Sequence, residues 1–117
     1  MKSVDSYPVQ IFVGLKERYT GPIHHVDEAL DIVQDFVEIG WCVTVTETTF
    51  VYKGAREPGI IVGAINYPRF PSDPDGIRLR AWTLAERLMK AFNQNRVSIQ
   101  FQGDTVMLEA DTQSGGA

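Results

Sequence analysis

The chain is poor in the groups that most often announce a chemistry. It has one cysteine, Cys42, and two histidines, His24 and His25, among 117 residues. A single thiol cannot form an internal disulfide, which fits a reducing compartment. One Cys and two His make none of the usual zinc patterns, so no metal and no cofactor is expected. No apolar run reaches the roughly 18 residues that a membrane span needs. No signal-peptide core stands at the start of the sequence, so a cytoplasmic location without a membrane partner is expected. Positive charge is also short: 11 Lys and Arg face 15 Asp and Glu, a net charge of -4. A general nucleic-acid binder is usually basic, which argues against that class while leaving room for a local basic pocket. Walker loops, Rossmann glycine fingerprints and serine elbows are missing as well.

What is present is an ordinary globular composition, 44% apolar and 22% charged, long enough to bury a core without staples. Residues 1–110 read as one domain, and the polar, Gly-rich residues 111–117 as a disordered tail. Val9, Ile11 and Val13 alternate with Gln10 and Phe12 in a first strand. Leu15 to His25 is a long connection. Val26, Ala29, Leu30, Val33, Phe36 and Val37 recur at helical spacing, and Gly40 is a natural stop. Trp41 to Tyr52 reads as a strand with Trp41, Val43 and Val45 on one face and Thr44, Thr46, Thr48, Phe50 and Tyr52 on the other. Lys53 to Pro58 is the hairpin connection, and Gly59 to Tyr67 a return strand. Pro74 opens a second helix capped by Ser72 or Asp73. Its core stripe is Ile77, Ala81, Leu84, Ala85, Leu88 and Phe92, with Leu79, Trp82 and Met89 in an offset stripe that can touch a partner. Val97 to Phe101 and Thr105 to Glu109 are further strands.

This β-α-β-β-α-β order with an added strand predicts a ferredoxin-like α+β fold, two helices covering one face of an antiparallel sheet. The open face, carrying Gln10, Phe12, several threonines, Ser98 and Gln100, is either solvated or a subunit interface. The first and third strands are expected to run parallel and end at one edge. Both helix N-termini would then converge there, a site suited to anions. Lys16, Arg18, His24, His25 and Arg69 are the available cations, and Tyr19 and Tyr67, with Phe70, the rings for stacking. Lys53 and Arg56 would lie at the opposite edge and reach the site only from a neighbouring subunit. Glu57 reads as the partner of a neighbouring loop charge such as Arg56. Adjacent histidines on a loop point different ways, so no catalytic residue is assigned. Cys42 reads as a packed thiol, with no basic cluster to activate it.

The run Arg56-Glu57-Pro58-Gly59 with Asn66-Tyr67-Pro68-Arg69-Phe70-Pro71, the opening Val13-Gly14-Leu15 and the strand Cys42-Val43-Thr44-Val45-Thr46 resemble small proteins encoded by tailed bacteriophages. The resemblance covers residues 9 to 109. It implies a ferredoxin-like fold and an anti-defence context, in which some small oligomers sequester nucleotide immune signals in basic pockets between subunits. Sequence and resemblance together predict a non-enzymatic homo-oligomer that binds a small phosphorylated ligand. Arg69, Lys16 and Arg18 would hold phosphate, and Tyr67 or Tyr19 would stack. The alternatives are a nucleotide phosphodiesterase using His24 or His25, and a module that docks a host or phage protein.

Overall fold

The computed structural model describes residues 1–18 and 20–110; Tyr19 and the expected tail, 111–117, lie outside the described residues. The elements are β1 (Val9–Gly14), α1 (Val26–Phe36), β2 (Thr44–Tyr52), β3 (Ala55–Ala64), α2 (Pro74–Ala91), β4 (Arg96–Phe101) and β5 (Thr105–Glu109). They form one antiparallel sheet in the order β2-β3-β1-β4-β5 with two helices, the expected α+β arrangement with the fifth strand added at an edge.

The period-2 pattern decides which face is buried. Val9, Ile11 and Val13 of β1 pack with Ile60, Val62, Val97 and Ile99 from its neighbours, all under the helices. From α2 come Ile77, Ala81, Leu84, Ala85, Leu88 and then Phe92, the stripe read from the sequence, with Met89 of the offset stripe buried beside them. Leu79 and Trp82 of that stripe stay exposed. Helix α1 contributes Ala29, Val33 and Phe36 and leaves Leu30 exposed. An ion pair of 2.5 Å between Arg87 and Asp35 joins the outer surfaces of the helices.

The caps follow local chemistry. Asp73 accepts the Gly76 N–H at 2.6 Å, with Pro74 in the first turn of α2. At α1 the cap is His25, whose Nδ1 accepts the Asp27 N–H at 3.1 Å. Three strand boundaries differ from expectation, the start of β2 and both ends of β3. Trp41 to Val43 precedes the β2 ladder. The Trp41 N–H is spent on the Val37 carbonyl, and its ring packs edge-on against Phe36. The hairpin turn is only Lys53-Gly54, because Gly54 takes φ +72° and lets pairing run out to Tyr52 and Ala55. Strand β3 therefore starts earlier and, ending at Ala64, stops earlier than the sequence predicts.

One expectation about direction is overturned. Strands β1 and β3 pair antiparallel, with Gly14 opposite Gly59 and Val9 opposite Ala64. A helical crossover restores strand direction and a hairpin reverses it, and one of each separates β1 from β3. The two helix N-termini therefore sit at opposite edges of the sheet. Lys16, Arg18, His24 and His25 lie at the edge where β1 ends, and Tyr67 and Arg69 at the other. The β2–β3 turn, with Lys53 and Arg56, shares the first edge rather than opposing it. It projects past the end of β1 as a two-stranded arm.

Candidate functional site

At the edge where β1 ends, the open sheet face holds a cleft of about 230 Å³. Its position follows from a pair of facing glycines. Gly14 on β1 and Gly59 on β3 stand opposite each other. A side chain at Gly59 would meet backbone as well as a ring, and one at Gly14 would have to displace the Gln94 amide. A Cβ on Gly59 would fall 2.1 Å from Phe50 Cε2 and 2.8 Å from the Val13 carbonyl oxygen, and one on Gly14 would fall 2.5 Å from Gln94 Oε1. The Phe50 ring thus covers one glycine and the Gln94 amide the other. Phe12 of β1 and Ser98 of β4 line the same cleft, as does Glu57, which pairs with Phe50 across the arm.

The remaining wall is polar. Arg18, Asn95 and Arg96 line it. Arg18 donates from Nη1 to Asn95 Oδ1 at 2.7 Å and from Nη2 to Asn93 Oδ1 at 3.1 Å. Arg18 and Asn93 both adopt φ +50°, the positive-φ non-glycine residues of the described chain. Their backbones also meet, the Arg18 N–H donating to the Asn93 carbonyl at 3.3 Å. Backbone in this region is costly for side-chain-bearing residues and gathers at functional sites. Behind them the buried Gln94 donates to the carbonyls of Lys16 at 2.7 Å and Phe92 at 3.1 Å. Arg96 pairs loosely with Glu109 on β5 at 3.9 Å.

His24 stands at the back of this wall. Its Nδ1 lies 2.5 Å from Glu28 and its Nε2 2.7 Å from Glu17, and its ring packs against Phe92 with centroids 4.9 Å apart. Burial works to lower its pKa, but the hydrogen bonds to Glu28 and Glu17 outweigh it and the net shift is upward. Glu17 is held below the usual carboxylate range by its hydrogen bond from Asn93 and then by His24.

The residues singled out from the sequence therefore divide. Arg18 lines the cleft, and His24 supports the loop behind it. His25 caps α1. Lys16 contributes its backbone to a bridge with Ile23. Lys53 and Arg56 sit at the tip of the arm, outside the cleft, with the Lys53 ammonium 5.7 Å from the Tyr52 ring centroid. Tyr19 lies outside the described residues. At the far edge Tyr67 stacks on Phe70 at 5.5 Å, and burial followed by a hydrogen bond to Cys42 raises its pKa. Arg69 beside them is exposed. Cys42 is exposed rather than packed, because the strand it was assigned to begins two residues later. Glu57, Phe50 and Asn95 were legible only in part. Alternation puts Phe12, Phe50 and Ser98 on one face, but nothing in a linear sequence reveals that two glycines face each other under them.

No protein-family model matches the chain, and no curated protein matches it in sequence. Among solved structures, a phage SAM lyase in complex with S-methyl-5′-thioadenosine matches over 95% of each chain, with TM-score 0.75 and 13% identity. A phage SAM lyase in its apo state matches over 90% of each chain, with TM-score 0.68 and 22% identity. The fold is shared with phage SAM lyases. Among the described residues no helix is long and apolar enough to cross a membrane, and no cluster of metal-ligating side chains occurs.

Proposed function

We propose that the protein binds S-adenosylmethionine in the open-face cleft and cleaves it as a lyase, releasing methylthioadenosine. The observation that carries this reading is the cleft itself, two phenyl rings, a carboxylate and the guanidiniums of Arg18 and Arg96 gathered on a fold shared with SAM lyases. Each group meets one part of the ligand. Phe50 and Phe12 offer flat apolar surface to a purine. The sulfonium is a cation, and both the ring faces and the Glu57 carboxylate favour it. Arg18 offers the amino-acid carboxylate a fork of donors, already oriented by Asn93 and Asn95. A sulfonium is an activated leaving group. When the bond from sulfur to the aminobutyrate carbon breaks, the electron pair stays on sulfur as a neutral thioether, the substrate's own carboxylate oxygen bonds to that carbon to close a lactone, and no water is consumed. Such chemistry asks for orientation more than for a strong base.

This departs from the phosphorylated ligand expected from the sequence. Methylthioadenosine carries no phosphate, and the cations expected to hold one stand at two different edges. The cleft is also smaller than the roughly 300–1,000 Å³ of most ligand cavities. Val51 and Tyr52 on the arm are 71% and 74% exposed. We place the arm of a neighbouring copy, with its Lys53 and Arg56, over the ligand in a homo-oligomer. Removal of the host methyl donor would serve a phage against methylation-dependent defences in the host cytoplasm.

The second reading is non-enzymatic sequestration of the same ligand. It is favoured by Arg18, whose two side-chain anchors, Asn93 and Asn95, suit it to hold a ligand whether or not a bond then breaks. A phosphodiesterase acting through His24 is disfavoured, since both ring nitrogens are engaged by carboxylates. Incubation with S-adenosylmethionine followed by denaturation and chromatography separates these readings. Methylthioadenosine in excess of protein supports the lyase; intact ligand in stoichiometric amount supports sequestration. Intact ligand together with no heat of binding by calorimetry overturns both.

A further inference from the structure

We propose that His24 is a positioning residue, a protonatable pin that holds Arg18 at the cleft and makes ligand affinity fall as the solution becomes alkaline. The inference rests on the cleft being the ligand site. It starts from three contacts that converge on one loop. His24 bridges Glu17 and Glu28, so it ties the β1–α1 connection to the first turn of α1. Glu17 accepts from Asn93 Nδ2 at 3.2 Å, and Asn93 in turn holds Arg18. Arg18 follows Glu17 directly in the chain, in a backbone conformation that an arginine does not adopt unaided.

The charged groups around the ring are Glu17 from its own loop, Glu28 from α1, and Arg18 beside Glu17; the end of α2 contributes only the Phe92 ring. Two carboxylates within hydrogen-bond reach of one imidazole are satisfied together only when both ring nitrogens carry protons. A neutral ring donates once, so one carboxylate would then face a lone pair and be repelled. Either Glu17 or Glu28 would turn away. Loss of Glu17 would release Asn93 and, with it, one of the two side-chain anchors of Arg18.

The sign is fixed by the direction of the shift. The folded-state pKa of His24 lies above its ordinary value of 6.5. Its contribution to stability is therefore complete below that value and is lost as pH rises through the folded pKa. Glu17 behaves oppositely, contributing above its ordinary value of 4.5 and losing that contribution as pH falls through its depressed folded value. The pin is complete in the window between them.

The test follows the backbone amide resonances of Arg18, Asn93 and Asn95, with the ring resonances of His24, from about pH 6 to pH 8.5. S-adenosylhomocysteine, which is stable over that range and carries the amino-acid carboxylate, serves as the affinity probe. The proposal expects the amides to titrate together with the His24 ring, and probe affinity to fall about tenfold over the same interval. In His24→Gln, which cannot take a charge, both profiles flatten, with affinity low throughout. Amides that ignore the His24 titration overturn the proposal. So does affinity with the same pH profile in wild type and His24→Gln. If wild type binds neither this probe nor S-adenosylmethionine, the ligand reading falls, and the amide titration alone decides whether His24 pins the loop.

Discussion

The two edges of the sheet carry similar ingredients and arrange them differently. Each has a helix N-terminus, arginine, aromatic rings and a buried amide. At the β1 end, the arm, the facing glycines and the α2–β4 turn surround a cleft, and Arg18 is held by two asparagines at its wall. At the other end the amide of Asn66 ties the chain to itself, donating to the Asp5 carbonyl and accepting from the Ser72 N–H, both at 2.8 Å. Arg80 donates to Ser72 Oγ at 3.0 Å, and the tilted rings of Tyr67 and Phe70, 5.5 Å apart, line with them a smaller cavity of about 140 Å³. Composition in a loop therefore says little about binding. What separates the edges is where the cavity lies: over the strands of the open face at the β1 end, and between Trp41, the β3–α2 loop and the first turns of α2 at the other.

The sharpest way to break the comparison is to fill the floor of the cleft. Gly59→Val places atoms against both the Phe50 ring and the Val13 carbonyl, and we expect a loss of about 1–3 kcal/mol in denaturant unfolding together with loss of ligand binding. Next in size, Gln94→Ala and Asn66→Ala each strip a buried amide's bonds from backbone groups that are for the most part half-buried, and should cost about 1 kcal/mol or somewhat more alike. Only Gln94→Ala should also weaken ligand binding, by calorimetry at a temperature where both variants are folded. Equal effects on binding would erase the distinction between the edges. Glu57→Gln removes, at almost constant shape, the carboxylate that would face the sulfonium in the proposed complex, and affinity for S-adenosylmethionine should fall about tenfold. Affinity for uncharged methylthioadenosine should stay within twofold in that variant, roughly the scatter of such measurements. Smallest of all, Arg69→Ala should change stability by less than about 0.5 kcal/mol and leave affinity unmoved. A large loss of affinity in that variant would move the site to the far edge.

Much of the fold was legible. Alternation in β1 and β4, the α2 stripe from Ile77 to Phe92, the Asp73 cap and the short β5 all rest on local rules of period and capping that operate within a few residues. The site was less legible for physical reasons. The direction of β3 relative to β1 follows from counting reversals along the chain, and the expectation of parallel strands put Arg69 with Arg18 when the fold holds them apart. The cleft depends on register. Gly14 and Gly59 are 45 positions apart in sequence, and only the pairing of β1 with β3 sets them face to face. Of the contacts of the His24 pin, only Glu28 is an i,i+4 neighbour; Glu17 lies in the preceding loop and Asn93 far along the chain, and no spacing pattern brings those together. Glu57 next to Arg56 looks like a surface pair in the linear chain. In a strand, adjacent residues point to opposite faces, and that separates them.

The ring of Phe50 lying over Gly59 binds the histories of two positions. So long as a ring stands at 50, any residue larger than glycine at 59 is excluded by contact. Once the ring is lost, the Val13 carbonyl still stands 2.8 Å from where a Cβ would fall, so a larger residue at 59 also needs β1 to shift. Descendants of this chain that abandon the cleft should therefore lose the ring first and the glycine only together with changes in β1. Lineages that keep the cleft should keep the pair. The two positions together form a sequence marker of the site that neither residue provides singly.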